Sequence, residues 1–258
     1  MIYFIAFIAG AFAAVVAGFF GGGTGIIAIP ALNYLVPYQG VPAAYNMHVA
    51  LGTTLAAGLV AMAMASYVQI KAGYVLWPVF RRFVAPICIG TIAGSYATSF
   101  IADDQLQYIF AVAVIIVGIW NYFHKEAGHK KFPLNAWSYV IGGFFVGASV
   151  GMIGMGILAV PFYRKCGVPL RNAIAITVVM GMFTSFFGAA TYIYDGWHIE
   201  ILPSSCIGFI DWQLLIPVAI ACAIFANIGA KLSHRVPHHI LHASFSIMLI
   251  VVGVKMLF

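Results

Sequence analysis

Apolar runs about as long as a bilayer is thick set the limits on this chain. They lie at 1–36, 43–70, 74–101, 105–123, 135–163, 169–194, 208–232 and 238–258. A membrane helix needs about 20 apolar residues. Only helices or closed barrels cross lipid with their backbone hydrogen bonds made, and these runs do not alternate as barrel strands do. Hydrophobic residues make up 64% of the 258 positions and charged residues 7%, where a soluble domain carries about 25%. No polar skin can be drawn from such a composition. That excludes a soluble enzyme, a nucleic-acid-binding domain and a disordered chain. The expectation is an all-α, polytopic membrane protein without enzymatic activity, multi-pass in a bacterial or archaeal cytoplasmic membrane. The apolar N-terminus, which lacks a basic lead-in, reads as a retained membrane segment.

Two of the runs are interrupted by glycine where the chain should be at membrane depth. GFFGGGTG (18–25) breaks the first run and GMIGMG (151–156) breaks the fifth. A glycine costs a helix roughly 1 kcal/mol relative to alanine. The breaks belong to an internal repeat. Gly23-x-Gly25-IIAI-Pro30 matches Gly154-x-Gly156-ILAV-Pro161, and GVP recurs at 40–42 and 167–169. Ala50-LGT-Thr54 lines up with Ala173-IAI-Thr177, and IIVGI (115–119) with IVVGV (250–254), which sets Gly94 on Gly229. The second copy carries an insertion near 196–209. Paired halves with interrupted helices in matching places are the sequence signature of a secondary transporter.

Charge distinguishes the halves. The net charge is +6, and the charges fall in short clusters between the apolar runs, so they read as topology signals. Lys71, Arg81 and Arg82 in one half correspond to Asp195, Glu200 and Asp211 in the other; Asp103 and Asp104 correspond to Arg235, His238 and His239. Equivalent loops therefore lie on opposite sides of the membrane. The predicted organisation is repeat 1 at 1–123, a basic cytoplasmic linker at 124–134 and repeat 2 at 135–258. The repeats have inverted topology, each a glycine-broken helical hairpin plus three transmembrane helices. A single long, kinked helix is the alternative to each hairpin.

Backbone freed at the start of a half-helix offers N–H groups and a positive dipole end to an anion without any charged side chain. Gly22, Gly23, Thr24 and Gly25 stand in that place in the first half, and Gly154 and Gly156 in the second. The alternative is that these glycines let helices pack closely. Thr53, Thr54 and Thr177 follow on the next helix, where a hydroxyl either meets substrate or bonds back to its own helix. Thr184 and Ser185 lie two turns further on. His48 and Arg171 occupy equivalent positions six residues before Thr54 and Thr177, and would offer positive charge from either side or simply mark the interface. Asn46, Gln69 and Asn172 are further polar residues near these helix ends.

All six acids (Asp103, Asp104, Glu126, Asp195, Glu200, Asp211) fall in loops or at helix ends, which argues against a cation pump. A coupled proton would then ride on the substrate or on His48. The histidines at 234, 238, 239 and 242 could hold metal or haem but read as a solvated turn. Cys88, Cys166, Cys206 and Cys222 show no pairing pattern and read as packing residues. Trp77, Trp137, Trp197 and Trp212 sit at predicted span ends, as an aromatic belt requires.

At these residues the chain resembles the sulfite exporter TauE/SafE family. The resemblance rests on GGGTGIIAIP (21–30), GMIGMGILAVP (151–161), ALGTT (50–54), AIAIT (173–177), GWHIE…IDW (196–212) and IGAKL (228–232), and covers nearly the whole chain. It implies a permease for sulfur oxyanions or organosulfonates such as sulfite and sulfoacetate. The chain departs from the family pattern at Met155 and at Ala175-Ile176. The expected partners are a small anionic substrate, lipid and, at most, a second copy of the chain; no nucleic acid and no cofactor are expected. A passive anion channel and a membrane metal or haem protein are the alternative readings.

Overall fold

The structure, a computed structural model, describes residues 1–20, 24–123, 136–154, 156–232 and 238–257. Gly22, Gly23, the linker at 124–134, Met155 and His234 lie outside the described residues. The helices are α1 (Ile2–Phe20), α2 (Thr24–Leu35), α3 (Asn46–Lys71), α4 (Trp77–Thr98), α5 (Asp103–Phe123), α6 (Ala136–Ile153), α7 (Ala159–Lys165), α8 (Leu170–Gly196), α9 (Trp212–Leu232) and α10 (His238–Leu257). Short 3₁₀ turns at Val36–Gln39, Ala43–Tyr45 and Gly156–Leu158 connect some of them. The protein is an all-α, multi-pass membrane protein. Among the described residues, Ala43–Lys71, Asp103–Trp120, Leu170–Gly196 and Trp212–Gly229 are long and apolar enough to cross a bilayer, beside shorter apolar helices at Ile2–Gly18, Tyr139–Ile153 and Ser246–Leu257.

The outer surface confirms the medium. On α9, Ile216, Ile220, Ile224 and Ile228 are each about half exposed. A four-residue spacing keeps them on one helix face, and that face has only lipid to meet. Trp77, Trp137 and Trp212 open α4, α6 and α9, and Trp197 follows α8; all four are exposed.

The interior is organised between the halves of the chain rather than within each. α4 packs along α6, and α1 along α9. In the first pair, Gly90 and Gly94 approach the backbone of Phe144 and Ala148, while Gly147 and Gly151 approach that of Ile87 and Thr91. The numbers rise together, so α4 and α6 run parallel. α3 and α8 run antiparallel: Gly52 meets Tyr192, Gly58 meets Ser185, and Ser66 Oγ donates to the Val178 carbonyl. α5 and α10 are also antiparallel, with Gly118 against Leu249, Gly253 against Ala111, and Gln107 Nε2 donating to the Met256 carbonyl. Helices in membranes come this close only over small residues.

The second half folds back at its glycine break. Phe162 of α7 lies against Gly142 of α6. A continuous helix would separate residues 20 positions apart by about 30 Å, so this chain has reversed direction. In the first half, α2 packs against both α1 and α3.

The segment after α8 supplies the one pair of strands among the described residues. Cys206–Ile207 and Ile210–Asp211 pair as antiparallel strands β1 and β2. The hairpin turns inward: Phe209 N donates to the Tyr192 carbonyl, and its ring lies 5.2 Å from that of His48 and 5.7 Å from that of Tyr45. Asp211 then starts α9. Its Oδ1 accepts from Gln213 N and Leu214 N at 2.8 and 3.1 Å, which satisfies two of the free donors of a helix N-terminus.

Candidate substrate site

The two glycine breaks meet. A Cβ built on Gly25 would lie 2.6 Å from the Gly154 carbonyl oxygen, and one on Gly154 would lie 2.6 Å from Ile29 Cδ1 of α2. Gly154 also has φ +64°, a backbone conformation that favours glycine. Thr24 and Gly25 open α2, so the positive end of that 12-residue helix points into the junction. Gly156 opens the short 3₁₀ turn that follows the second break.

α3 and α8 bring further polar groups to the same junction. Gly58 stands at the middle of α3, and a Cβ there would lie 3.1 Å from Ser185 Oγ and 3.6 Å from Thr24 Oγ1. Ser185 lies near the middle of α8, so both positions belong at the depth of the bilayer centre. Thr54 precedes Gly58 by one turn on the same face of α3. It is 2% exposed, and its hydroxyl has no hydrogen-bond partner among the described residues. The hydroxyls of Thr24 and Ser185, the Gly154 carbonyl and the start of α2 thus converge, with the Thr54 hydroxyl one turn away along α3.

The second break is also braced from behind. α6 ends at Ile153, which leaves its last carbonyls without helical partners. The Gly151 carbonyl accepts from Ser95 Oγ at 3.3 Å and from Tyr192 OH at 3.2 Å.

Four residues singled out in the sequence are placed elsewhere. His48 is 4% exposed, with ring nitrogens 2.9 Å from Asp103 Oδ1 and 3.0 Å from the Thr98 carbonyl; neither nitrogen is free for an anion. Thr53 Oγ1 accepts from Asp211 N at 3.0 Å and so ties α3 to the start of α9. Thr177 Oγ1 donates to its own helix at the Ala173 carbonyl, 2.8 Å away. Arg171 is exposed at the start of α8 with its guanidinium 5.9 Å from the centre of the Tyr74 ring, an interfacial position.

Two acids at helix ends prove to be buried, Asp103 at 7% exposure and Asp211 at 0%. The sequence placed them at helix ends, where they are; both turn inward to accept from backbone N–H groups. Gly58, Ser95, Tyr192 and the buried roles of Asp103 and Asp211 carried no signal in the sequence, because each depends on a contact with a residue distant along the chain. Ser185 was visible there only as an outlying polar residue.

The sulfite exporter TauE/SafE family matches residues 6–256 of the chain. Among curated proteins, the chain is similar to a probable membrane transporter protein of Haemophilus influenzae, 27% identical over 250 residues, spanning 96% of this chain and 95% of the relative. It is also similar to a probable membrane transporter protein of Bacillus subtilis, 24% identical over 257 residues, spanning 95% of this chain and 96% of the relative. A third, from Methanocaldococcus jannaschii, is 23% identical over 262 residues, spanning 97% of this chain and 93% of the relative. No solved structure matches the chain.

Proposed function

The chain belongs to the sulfite exporter TauE/SafE family of membrane transporters, and from that premise we propose that it is a carrier of small oxyanions, sulfite or an organosulfonate, rather than an enzyme. The anion sits where the two glycine breaks meet. Thr24, Thr54 and Ser185 donate to its oxygens, with the N–H groups at the start of α2, Gly25 among them. Gly154 and Gly156 form the opposing wall. His48, Thr53, Arg171 and Thr177 are not part of this site, because their polar groups are engaged elsewhere or stand at the surface.

The observation that carries the reading is the buried Thr54 hydroxyl, without a hydrogen-bond partner among the described residues, one helical turn from Gly58, where Thr24 and Ser185 converge. A buried hydroxyl is ordinarily satisfied, and an oxyanion would satisfy this one.

The two halves are inverted copies on this reading. Equivalent helices α3 and α8 pack antiparallel, as do α5 and α10, while α4 on α6 mirrors α9 on α1. A twofold axis lying in the membrane plane generates that pattern, and rocking of one half against the other would open the junction to each side in turn. The copies differ at the site itself. Thr54 matches Thr177, so Gly58 corresponds to Gly181 and Ser185 to Met62. Gly58 faces Ser185, whereas Gly181 faces the Met62 thioether with a Cβ-to-sulfur distance of 2.9 Å. A single polar site, off the axis, follows from that difference.

The test is flux of radiolabelled sulfite and sulfoacetate in proteoliposomes. Thr24→Val and Thr54→Val should abolish saturable exchange, and Gly58→Val should block it by filling the junction. Unchanged transport in all three variants would dismiss the site. Flux that neither saturates nor exchanges would identify a channel.

A further inference from the structure

The first turn of α3 holds a buried pair of ionisable groups that the anion site does not use. Among the described residues, His48 and Asp103 make the one contact between a basic side chain and a carboxylate, Nδ1 to Oδ1 at 2.9 Å. Both groups are buried. Asp103 also accepts from Met47 N at 2.8 and 3.0 Å and from His48 N at 3.2 Å, so its carboxylate holds the start of α3.

The second ring nitrogen decides the chemistry. Nε2 faces the Thr98 carbonyl at 3.0 Å, and a carbonyl only accepts. A neutral imidazole donates from one nitrogen alone, so the neutral ring sets a lone pair against either Asp103 or Thr98. The imidazolium donates to both. With its proton on, His48 ties α3 to α5 through Asp103 and to the end of α4 through Thr98. When the Nε2–H bond breaks and that proton leaves to water, the Nδ1–H link to Asp103 remains. The link to Thr98 becomes a contact between two acceptors and must open.

The end of α4 passes that event toward the second glycine break. Thr98 Oγ1 donates to the Ser95 carbonyl at 2.6 Å, and Ser95 Oγ donates to the Gly151 carbonyl. Gly151 is the first residue of GMIGMG. Every other titratable group near the ring has its own attachment. Asp195 of α8, which feels the charge on His48, accepts from Ser99 Oγ at 2.8 Å. Tyr192 donates to Gly151, Tyr45 lies edge-on to the ring, Asp104 is exposed, and Asp211 caps α9.

We propose that His48, held by Asp103, binds the proton coupled to transport, and that its loss from Nε2 releases the α4 end from α3 and thereby the brace on the second glycine break. This rests on the carrier reading above. The role assigned to His48 is positioning and proton binding, without contact to the anion.

Two measurements test it. In proteoliposomes with the membrane potential clamped and both faces above about pH 6, a pH gradient should drive accumulation of labelled sulfoacetate by the wild-type protein; its sulfonate and its carboxylate both stay ionised there and bring no proton of their own. His48→Gln and Asp103→Asn should lose that accumulation while still exchanging internal for external sulfoacetate. Accumulation by His48→Gln equal to wild type would overturn the proposal. Absence of all exchange, of sulfite as well, would instead count against the carrier reading. The second measurement, nitrogen NMR of ¹⁵N-histidine-labelled wild-type protein, decides the proton site independently. The His48 ring should show an Nε2–H signal that is lost reversibly as the link to Thr98 opens, while the Nδ1–H signal toward Asp103 persists. A ring that keeps one protonation state throughout overturns the assignment.

Discussion

A buried hydroxyl with no partner destabilises a fold by about 1–3 kcal/mol, and Thr54 carries one. Thr54→Val, which removes the hydroxyl and keeps the shape, should therefore leave thermal stability in detergent unchanged or raise it, while transport is lost. A fall in stability would mean that Thr54 is a structural residue. Thr177→Val is the control: its hydroxyl only bonds back to its own helix, so both stability and flux should stay near wild type. Asp211 gives a pH signature. Burial, the largest influence, holds its carboxyl above the usual carboxylate range, against the pull of the Leu214 and Gln213 N–H groups and of Ser205. The native state then binds a proton that the unfolded chain has already released. Stability should fall as pH rises from about 4 through the raised value and level off above it. Asp211→Asn keeps the helix cap and should flatten that slope, measured as unfolding midpoint against pH; an unchanged slope would place the titration elsewhere. Threonines 53, 54 and 177 were legible as a set in the sequence. Their separate fates were not, since one is decided by a strand 158 residues away and another by the lack of a partner among the described residues.

Among the elements, the α4–α6 contact shows most clearly what holds the bundle together. Gly90, Gly94, Gly147 and Gly151 bring the two backbones together, and a Cβ on Gly94 would lie 2.7 Å from Ala148 Cα. Backbone has nowhere to retreat there. Gly94→Val should destabilise by at least the 1–3 kcal/mol typical of overpacking and reduce the monodisperse yield, while Ile92→Ala on the exposed side of the same helix should change little. Equal effects would show that the contact is not close-packed. The sequence alignment already set Gly94 on Gly229, and Gly229 meets the Val15 backbone of α1 as Gly94 meets that of Ala148. What the alignment lacked was the exchange of partners. Periodicity reports which face of a helix is buried, but nothing in it says that each half packs its fourth helix on the other half's first. The β1–β2 hairpin was visible only as an insertion, because two-residue strands leave no periodic trace.

The whole molecule follows from composition more directly than from any motif: a chain with so few charges has its outer surface chosen by lipid. The proposed inversion of its halves makes a sharp expectation. Single cysteines introduced at Ala72 and at Glu200, in equivalent loops of a cysteine-free background, should react with a membrane-impermeant maleimide from opposite sides of the membrane. Labelling from one side only would remove the twofold relation and with it the rocking motion. The central claim is that an oxyanion is held where two interrupted helices meet, without a charged side chain in contact. A cryo-electron microscopy map of the protein with bound selenite, a heavier analogue of sulfite, tests this most directly. The account predicts density bounded by Thr24, Thr54, Ser185 and the peptide at Gly154. Density at the exposed Lys71 or Arg171, with the glycine junction closed and empty, would contradict it.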